Sequence, residues 1–321
     1  MKKIFLLLTF VFATLFTAFS QSEKEPQYVN VDWKVGENRT IRQIDSTIIY
    51  LNDSVLMSTG ISSDYKMKIV SLRDTVYEVL FKQVNVDTNI KIGSELISTD
   101  PIEKMMQGLM TQLQEKMLGF EYSFLVGKNT ASAFEIKNQS EMIEMLEEMV
   151  VVVLNSYLDA SKIELDDTEK KELQLKLKEY MDEKIPAGLQ TILNSFNYIF
   201  QAYSFSFILD ETYTLESMVY DVDEVRNGNK ESPVTFVVNS FATGSKLNIN
   251  YVYIYDKETA YQEYIVSSGR ADEIPMSEFD VKERVVSEFN TESSWITSST
   301  SYANVKMGKV RVDNTTYVTI D

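Results

Sequence analysis

The 321-residue chain contains no cysteine and no histidine, and these two absences exclude more than any motif in it reveals. Without cysteine there is no disulfide, so the fold must hold together by burial alone. The acylated cysteine of a lipoprotein anchor is excluded as well. Without histidine the common general base near neutral pH is missing. Ser-His-Asp and Cys-His nucleophilic systems go with it, as do transition-metal sites built on His and Cys. Carboxylate-only chemistry and oxygen-ligated Ca²⁺ or Mg²⁺ sites survive. Glycine is scarce, at 11 residues, and no P-loop, Rossmann glycine pattern or Gly-x-Ser-x-Gly elbow occurs. Two tryptophans make poor provision for stacking sugars. No catalytic residue, metal or cofactor is expected, and the chain reads as a non-enzyme.

Basic charge is also short. Lys and Arg total 31 against 48 Asp and Glu, a formal net charge of −17. That balance favours solubility and repels nucleic acid and anionic head groups, so no nucleic-acid partner is expected. One long apolar run stands out. Lys2 and Lys3 precede Ile4–Ala18, then comes Ala18-Phe19-Ser20, a small-x-small exit, and the polar run Gln21-Ser22-Glu23-Lys24-Glu25-Pro26. This layout predicts a secretory signal peptide over residues 1–20. The run is 15 residues long, and a membrane-spanning helix needs roughly 20. Its removal leaves 29 basic against 48 acidic residues, a charge of −19. No later segment reads as a helical span. The expectation is an exported protein, periplasmic or secreted, with residues 21–321 as its mature part.

From Tyr28 to Ile92 the pattern is β. Thr40–Ile44 leads into Thr47–Leu51, Asn52-Asp53-Ser54 reads as a turn, Tyr65–Val70 alternates with period two, and Arg73-Asp74-Thr75 turns into Val76–Val84. The middle is helical. Asp100-Pro101-Ile102-Glu103 opens a helix with Ile102, Met105, Met106, Leu109, Met110, Leu113 and Met117 on one face and Gly119 at its end. After a strand at Glu121–Val126, a second stripe runs through Met142, Leu146, Met149, Val150, Val153 and Tyr157. Asp166–Ile185 reads as a charged helix, and Pro186 opens another through Leu189, Ile192, Leu193, Phe196, Ile199, Phe200 and Tyr203. The period then returns to two at Ser204–Leu209, Tyr213–Tyr220, Val234–Asn239, Leu247–Tyr255 and Tyr261–Val266. Val281–Phe289, Ser294–Val305 and Val310–Ile320 follow, the first open to a helical reading because Ser277 caps it acceptably.

The expected fold is α+β: a curved antiparallel β-sheet packed around a central helical insert. The expected boundaries are a β-meander at 28–99, a mainly helical insert at 100–204 and a β-rich part at 205–321, in one domain with no Pro/Ser/Gly linker. In its export signal and element order the chain resembles exported Gram-negative proteins of uncharacterised function. More distantly, it resembles periplasmic lipoprotein carriers, in which a half-open antiparallel sheet holds an acyl chain around helices. That resemblance rests on no diagnostic motif and implies no particular functional residue.

Four constellations carry chemistry or its alternative. Half of the 14 methionines fall on two helices, at Met105, Met106, Met110, Met117, Met142, Met145 and Met149. Flexible thioethers suit an adaptable apolar site, and equally fill a core. Tyr251, Tyr253 and Tyr255 share one strand face, which either lines a cavity or packs across strands. Asp221-Val222-Asp223-Glu224 fails as a Ca²⁺ loop, because Val225 takes a ligand position and Arg226 that of the invariant glycine. Asp166-Asp167 reads as helix capping. Asp45-Ser46-Thr47, Asp53-Ser54-Val55 and Asp74-Thr75-Val76 match an Asp-Ser/Thr-apolar pattern of bacterial O-glycosylation, making Ser46, Ser54 and Thr75 candidate acceptors, although turn chemistry supplies the same residues.

The leading expectation is a non-catalytic exported binding protein with an apolar, lipid-like ligand between sheet and helices, lined by Met105, Met110, Met142, Met149, Phe196 and Phe200. The second is an envelope interaction module that binds another protein through an exposed sheet face. The third is a carboxylate-only hydrolase.

Overall fold

The computed structural model describes residues 24–92, 118–129, 131–161, 166–220, 231–266, 269 and 273–321. Its strands are β1 (Gln27–Tyr28), β2 (Asn38–Leu51), β3 (Ser54–Arg73), β4 (Val76–Ile92), β5 (Glu121–Gly127), β6 (Ala133–Ile136), β7 (Ser206–Phe207), β8 (Thr212–Tyr220), β9 (Glu231–Thr243), β10 (Lys246–Tyr255), β11 (Phe279–Asn290), β12 (Ile296–Met307) and β13 (Val310–Ile320). The α-helices are α1 (Gln139–Ser161), α2 (Asp167–Phe200) and α3 (Lys257–Tyr261).

Eleven strands make one antiparallel sheet in the order β6-β5-β4-β3-β2-β13-β12-β11-β10-β9-β8, and β1 pairs with β7 apart from it. Most neighbours in the sheet are also neighbours in sequence, so tight turns set the register. Asn52 and Asp53 join β2 to β3 with φ of 49° and 64°. That left-handed pair is what a two-residue hairpin needs, and Asn and Asp adopt it at little cost. Gly308 turns β12 into β13 at φ 61°, where a Cβ would lie 3.4 Å from Glu278 Oε2. Among the described strands of this sheet the long-range join is β2 with β13, from Ile41 opposite Ile320 to Leu51 opposite Val310.

That join overturns the expected α+β class with a central helical insert. The two meanders are halves of a single sheet, and the chain is mostly β. The expectation failed because apolar stripes announce helices without saying how much of the sheet they cover. The core is built chiefly from strand residues, joined by the last turns of α2 through Phe196, Ile199 and Phe200. Smaller corrections follow the same logic. Pro186 does not open a new helix: α2 runs through it from Asp167 to Phe200. Tyr261–Val266 is helical rather than extended, since Asp256 caps α3 by accepting from the Thr259 amide at 2.8 Å. Ser204–Leu209 forms only the two-residue β7 after a 3₁₀ turn. Val281–Phe289 is a strand, lying within β11. The helix expected from Asp100, the signal-peptide segment and the Asp221 loop lie outside the described residues.

Aromatic rings close one end of the sheet. Val29, Val31 and Trp33 alternate inward from an extended segment ahead of β2. Trp33 stacks on Trp295 with centroids 4.9 Å apart and planes at 11°, and meets Phe200 and Tyr203 edge-on at 5.4 and 5.9 Å. The chain's two tryptophans are thus spent on each other. Tyr203 is fully buried, yet its hydroxyl is satisfied. It donates to the Ser294 carbonyl at 2.7 Å and accepts from the Ile296 amide at 3.2 Å. Asn197 of α2 grips the edge strand β6, accepting from the Ala133 amide at 2.6 Å and donating to its carbonyl at 3.0 Å. A side-chain amide here stands in for a neighbouring strand.

Candidate functional site

Strand register assigns the side chains of the helix-bearing face to rows that run across the sheet. Alternation puts Ile41, Gln43, Asp45, Thr47 and Ile49 of β2 on this face. One row reads Val285, Ser301, Thr316, Asp45 and Ile61 from β11 to β3. The next, displaced away from the aromatic end, reads Tyr253, Glu283, Ala303, Asn314, Thr47 and Thr59. Beyond it come Val281, Val305, Val312, Ile49 and Met57. The inner face is therefore apolar at the aromatic end, polar across its middle and apolar again beyond.

The polar band forms the floor of a half-open cleft of about 390 Å³. Five strands line it through Asp45, Thr47, Thr316, Asn314, Ser301, Ala303, Glu283, Val285 and Tyr253, and the end of α2 roofs it with Tyr198 and the following Gln201. Among the described residues no Lys or Arg lines it. Asp45 Oδ1 accepts from Thr316 at 2.6 Å and Oδ2 from the Gln43 amide at 2.7 Å. Glu283 accepts from the Tyr255 hydroxyl at 2.5 Å. Burial raises the Glu283 carboxyl above the ordinary carboxylate range, and the Tyr255 hydrogen bond offsets part of that rise. Burial, and after it the field of Glu283, also raise the Tyr253 phenol.

The apolar row beyond the cleft keeps part of its surface exposed. Ile49, Met57, Val305 and Val312 are each half-buried, and Leu51, opposite Val310, is 40% exposed. Val305, Met307 and Val281 pack beside a satellite core of Ala260, Tyr261, Ile265, Ile274 and Phe279, where the β10–β11 connection folds against the sheet.

Of the residues proposed from sequence to line a ligand site, Met142, Phe196 and Phe200 are at most 2% exposed and belong to the main core. Phe196 packs at 4.6, 4.9 and 5.2 Å from the rings of Phe124, Phe200 and Phe81. Met149 lies on α1, its side chain outside the described set, and Met105 and Met110 are outside the described residues. Ser46 sits mid-strand at the margin of the cleft, whereas Ser54 and Thr75 are exposed at hairpin turns. The tyrosine row does share the inner face: Tyr251 is buried, Tyr253 lines the cleft and Tyr255 holds Glu283. Sequence reasoning missed Asp45 and Glu283. Glu283 carried a signal, because it occupies the apolar phase of β11 between Val281, Val285 and Phe289.

Among the described residues no group of three or more Asp or Glu could hold a metal ion, and no helix is long and apolar enough to cross a membrane. No family model and no curated protein matches the chain. Among solved structures it is similar to lipovitellin, in a structure concerned with lipid–protein interactions, at 12% identity and a TM-score of 0.45 over 90% of this chain and 25% of that one. The chain thus spans about a quarter of the length of that relative. It is also similar to an outer membrane channel from Pseudomonas putida F1, at 7% identity and a TM-score of 0.17 over 93% of this chain and 100% of that one. Both scores are too low to transfer a property, and the functional reading rests on the chain's own geometry.

Proposed function

We propose that the chain is a non-catalytic, exported binding protein that takes an amphiphilic, lipid-like ligand on the inner face of its sheet. The observation that carries this reading is the juxtaposition of two rows. A polar band in a 390 Å³ cleft lies one row from half-exposed Met57, Ile49, Val312 and Val305. The head group enters the cleft, and the apolar tail covers the row beyond it, where burial drives association.

Two features favour binding over hydrolysis. Each cleft carboxylate is already held by a neighbouring hydroxyl or amide. Glu283 is in register with Thr47, across Ala303 and Asn314. It therefore stands three strand spacings, about 14 Å, from the strand that bears Asp45. Glycosidase pairs work at about 5–9.5 Å.

Native mass spectrometry of protein purified without detergent from its producing cells tests the proposal. A reproducible extra mass that is lost on denaturation and identified as a lipid or other amphiphile is the expected result. A bare chain mass, with no uptake of added dodecyl amphiphiles, contradicts it. Mass that survives denaturation would instead mark covalent glycan at sites such as Ser46, Ser54 or Thr75.

A further inference from the structure

The cleft also specifies the head group, an inference that rests on the amphiphile reading above. We infer that it selects a cationic, ammonium-bearing head group and discriminates against anionic ones. Two carboxylates, Asp45 and Glu283, line one cleft that no Lys or Arg among the described residues enters. Lys282 and Arg284 flank Glu283 in sequence but alternate to the opposite face, where Lys282 pairs with Asp280 and Arg284 donates to Asn250. A phosphate or carboxylate head placed here meets two carboxylates and no described cation, so only the hydroxyls and the Asn314 and Gln201 amides offset its desolvation. An ammonium beside Glu283 meets opposite charge there, and Asp45, farther along the same cleft, adds to the field.

The aromatic lining makes the selection sharper. Tyr253 on the floor and Tyr198 on the roof present rings to the same space. Ring faces attract alkylated ammonium ions, and the attraction grows when water is excluded. Tyr253 sits directly opposite Glu283 on the adjoining strand, so ring and carboxylate converge on one position. The hydroxyls of Ser301 and Thr316 complete the rim. A hydroxyl-rich neutral head finds hydrogen-bond partners too, but lacks the cation's direct attraction to carboxylate and ring face.

Three amphiphiles with one chain length separate head from tail: dodecyltrimethylammonium, dodecyl maltoside and dodecanoate, each titrated calorimetrically below its micelle concentration. The expected result is binding of the ammonium at least about tenfold tighter than the maltoside and tighter still than dodecanoate, a tenfold gap being about 1.4 kcal/mol. In the Asp45→Asn/Glu283→Gln double variant the preference for the ammonium over the maltoside falls to within about threefold. The single variant Tyr253→Leu reads the ring contribution should the double variant fail to fold, and it lowers ammonium affinity more than maltoside affinity. Equal binding of all three by the native chain overturns the head-group inference and leaves the amphiphile reading standing. Failure of all three to bind overturns both.

Discussion

Tyr255 donates its hydroxyl hydrogen to Glu283 at 2.5 Å, from a position diagonal to it across the β10–β11 pair. The contact holds an acid on the inner face of the sheet, where burial favours its neutral form. Its folded pKa lies above the unfolded one, so the stabilising contribution is fully present below the ordinary carboxylate value. It is lost as pH rises through the raised value. Glu283→Gln, neutral throughout, is expected to raise the melting temperature relative to the native chain at about pH 8 and to lose that advantage near pH 4. A difference that is constant between those pH values would contradict this placement of the charge.

The same titration governs binding of a cation. Glu283 must be ionised to attract one, and the titratable groups beside it are the Tyr253 and Tyr255 phenols, with Tyr198 and Asp45 in the same cleft. Affinity for dodecyltrimethylammonium is therefore expected to rise with pH upward from the ordinary carboxylate range and then level off. Calorimetry in a series of buffers checks it, and Glu283→Gln should flatten the profile.

Tyr203 joins three segments through one buried hydroxyl, which donates to the Ser294 carbonyl and accepts from the Ile296 amide and, at 3.5 Å, from the Trp33 indole N–H. Tyr203→Phe removes the partner of the Ile296 amide and of the Trp33 indole N–H and should cost about 1–3 kcal/mol of stability. Chemical denaturation gives the size, and hydrogen exchange at Ile296 locates it. Faster exchange there, ahead of the sheet centre, is expected.

Asn197 satisfies both backbone groups of Ala133 on the edge strand β6. Asn197→Leu keeps the bulk and removes both bonds. It is expected to destabilise by about 1–3 kcal/mol and to speed exchange of the Ala133 amide. An unchanged Ala133 protection factor would show that α2 does not hold this edge.

The outer apolar row should matter for binding and little for folding, because its side chains are only half-buried. Met57→Ser combined with Val312→Thr is expected to weaken binding of any dodecyl amphiphile at least about tenfold, since truncating buried apolar groups removes about 0.8 kcal/mol per methylene. The melting temperature, followed by circular dichroism, should move by only a few degrees.

Local chemistry made much of the fold readable. Asn52-Asp53 declared a hairpin, and the left-handed φ values of both residues bear that out. Asp166 reads as a cap, and it accepts from the Thr168 and Glu169 amides while the Glu169 carboxylate accepts from the Asp166 N–H. What could not be read was pairing between distant segments. Nothing in the alternation of Ile41 or Ile320 says that they sit opposite each other, and without that pairing two meanders look like separate lobes around a helical middle. The cleft was hidden for a related reason. Asp45 and Glu283 lie far apart in sequence on strands that are not neighbours, and only the β2–β13 join brings them to one face. The methionine and phenylalanine stripes gave the more conspicuous signal, yet Met142, Phe196 and Phe200 turned out to be core.

The most direct test of the account is the chain-length dependence of binding for alkyltrimethylammonium ions from four to twelve carbons. With the head in the cleft and the tail on the Met57–Ile49–Val312–Val305 row, each buried methylene adds about 0.8 kcal/mol, or about fourfold in affinity. The account predicts that steady climb, ending where the apolar row ends. Affinity independent of chain length would contradict it, because the tail would then have no site on the protein.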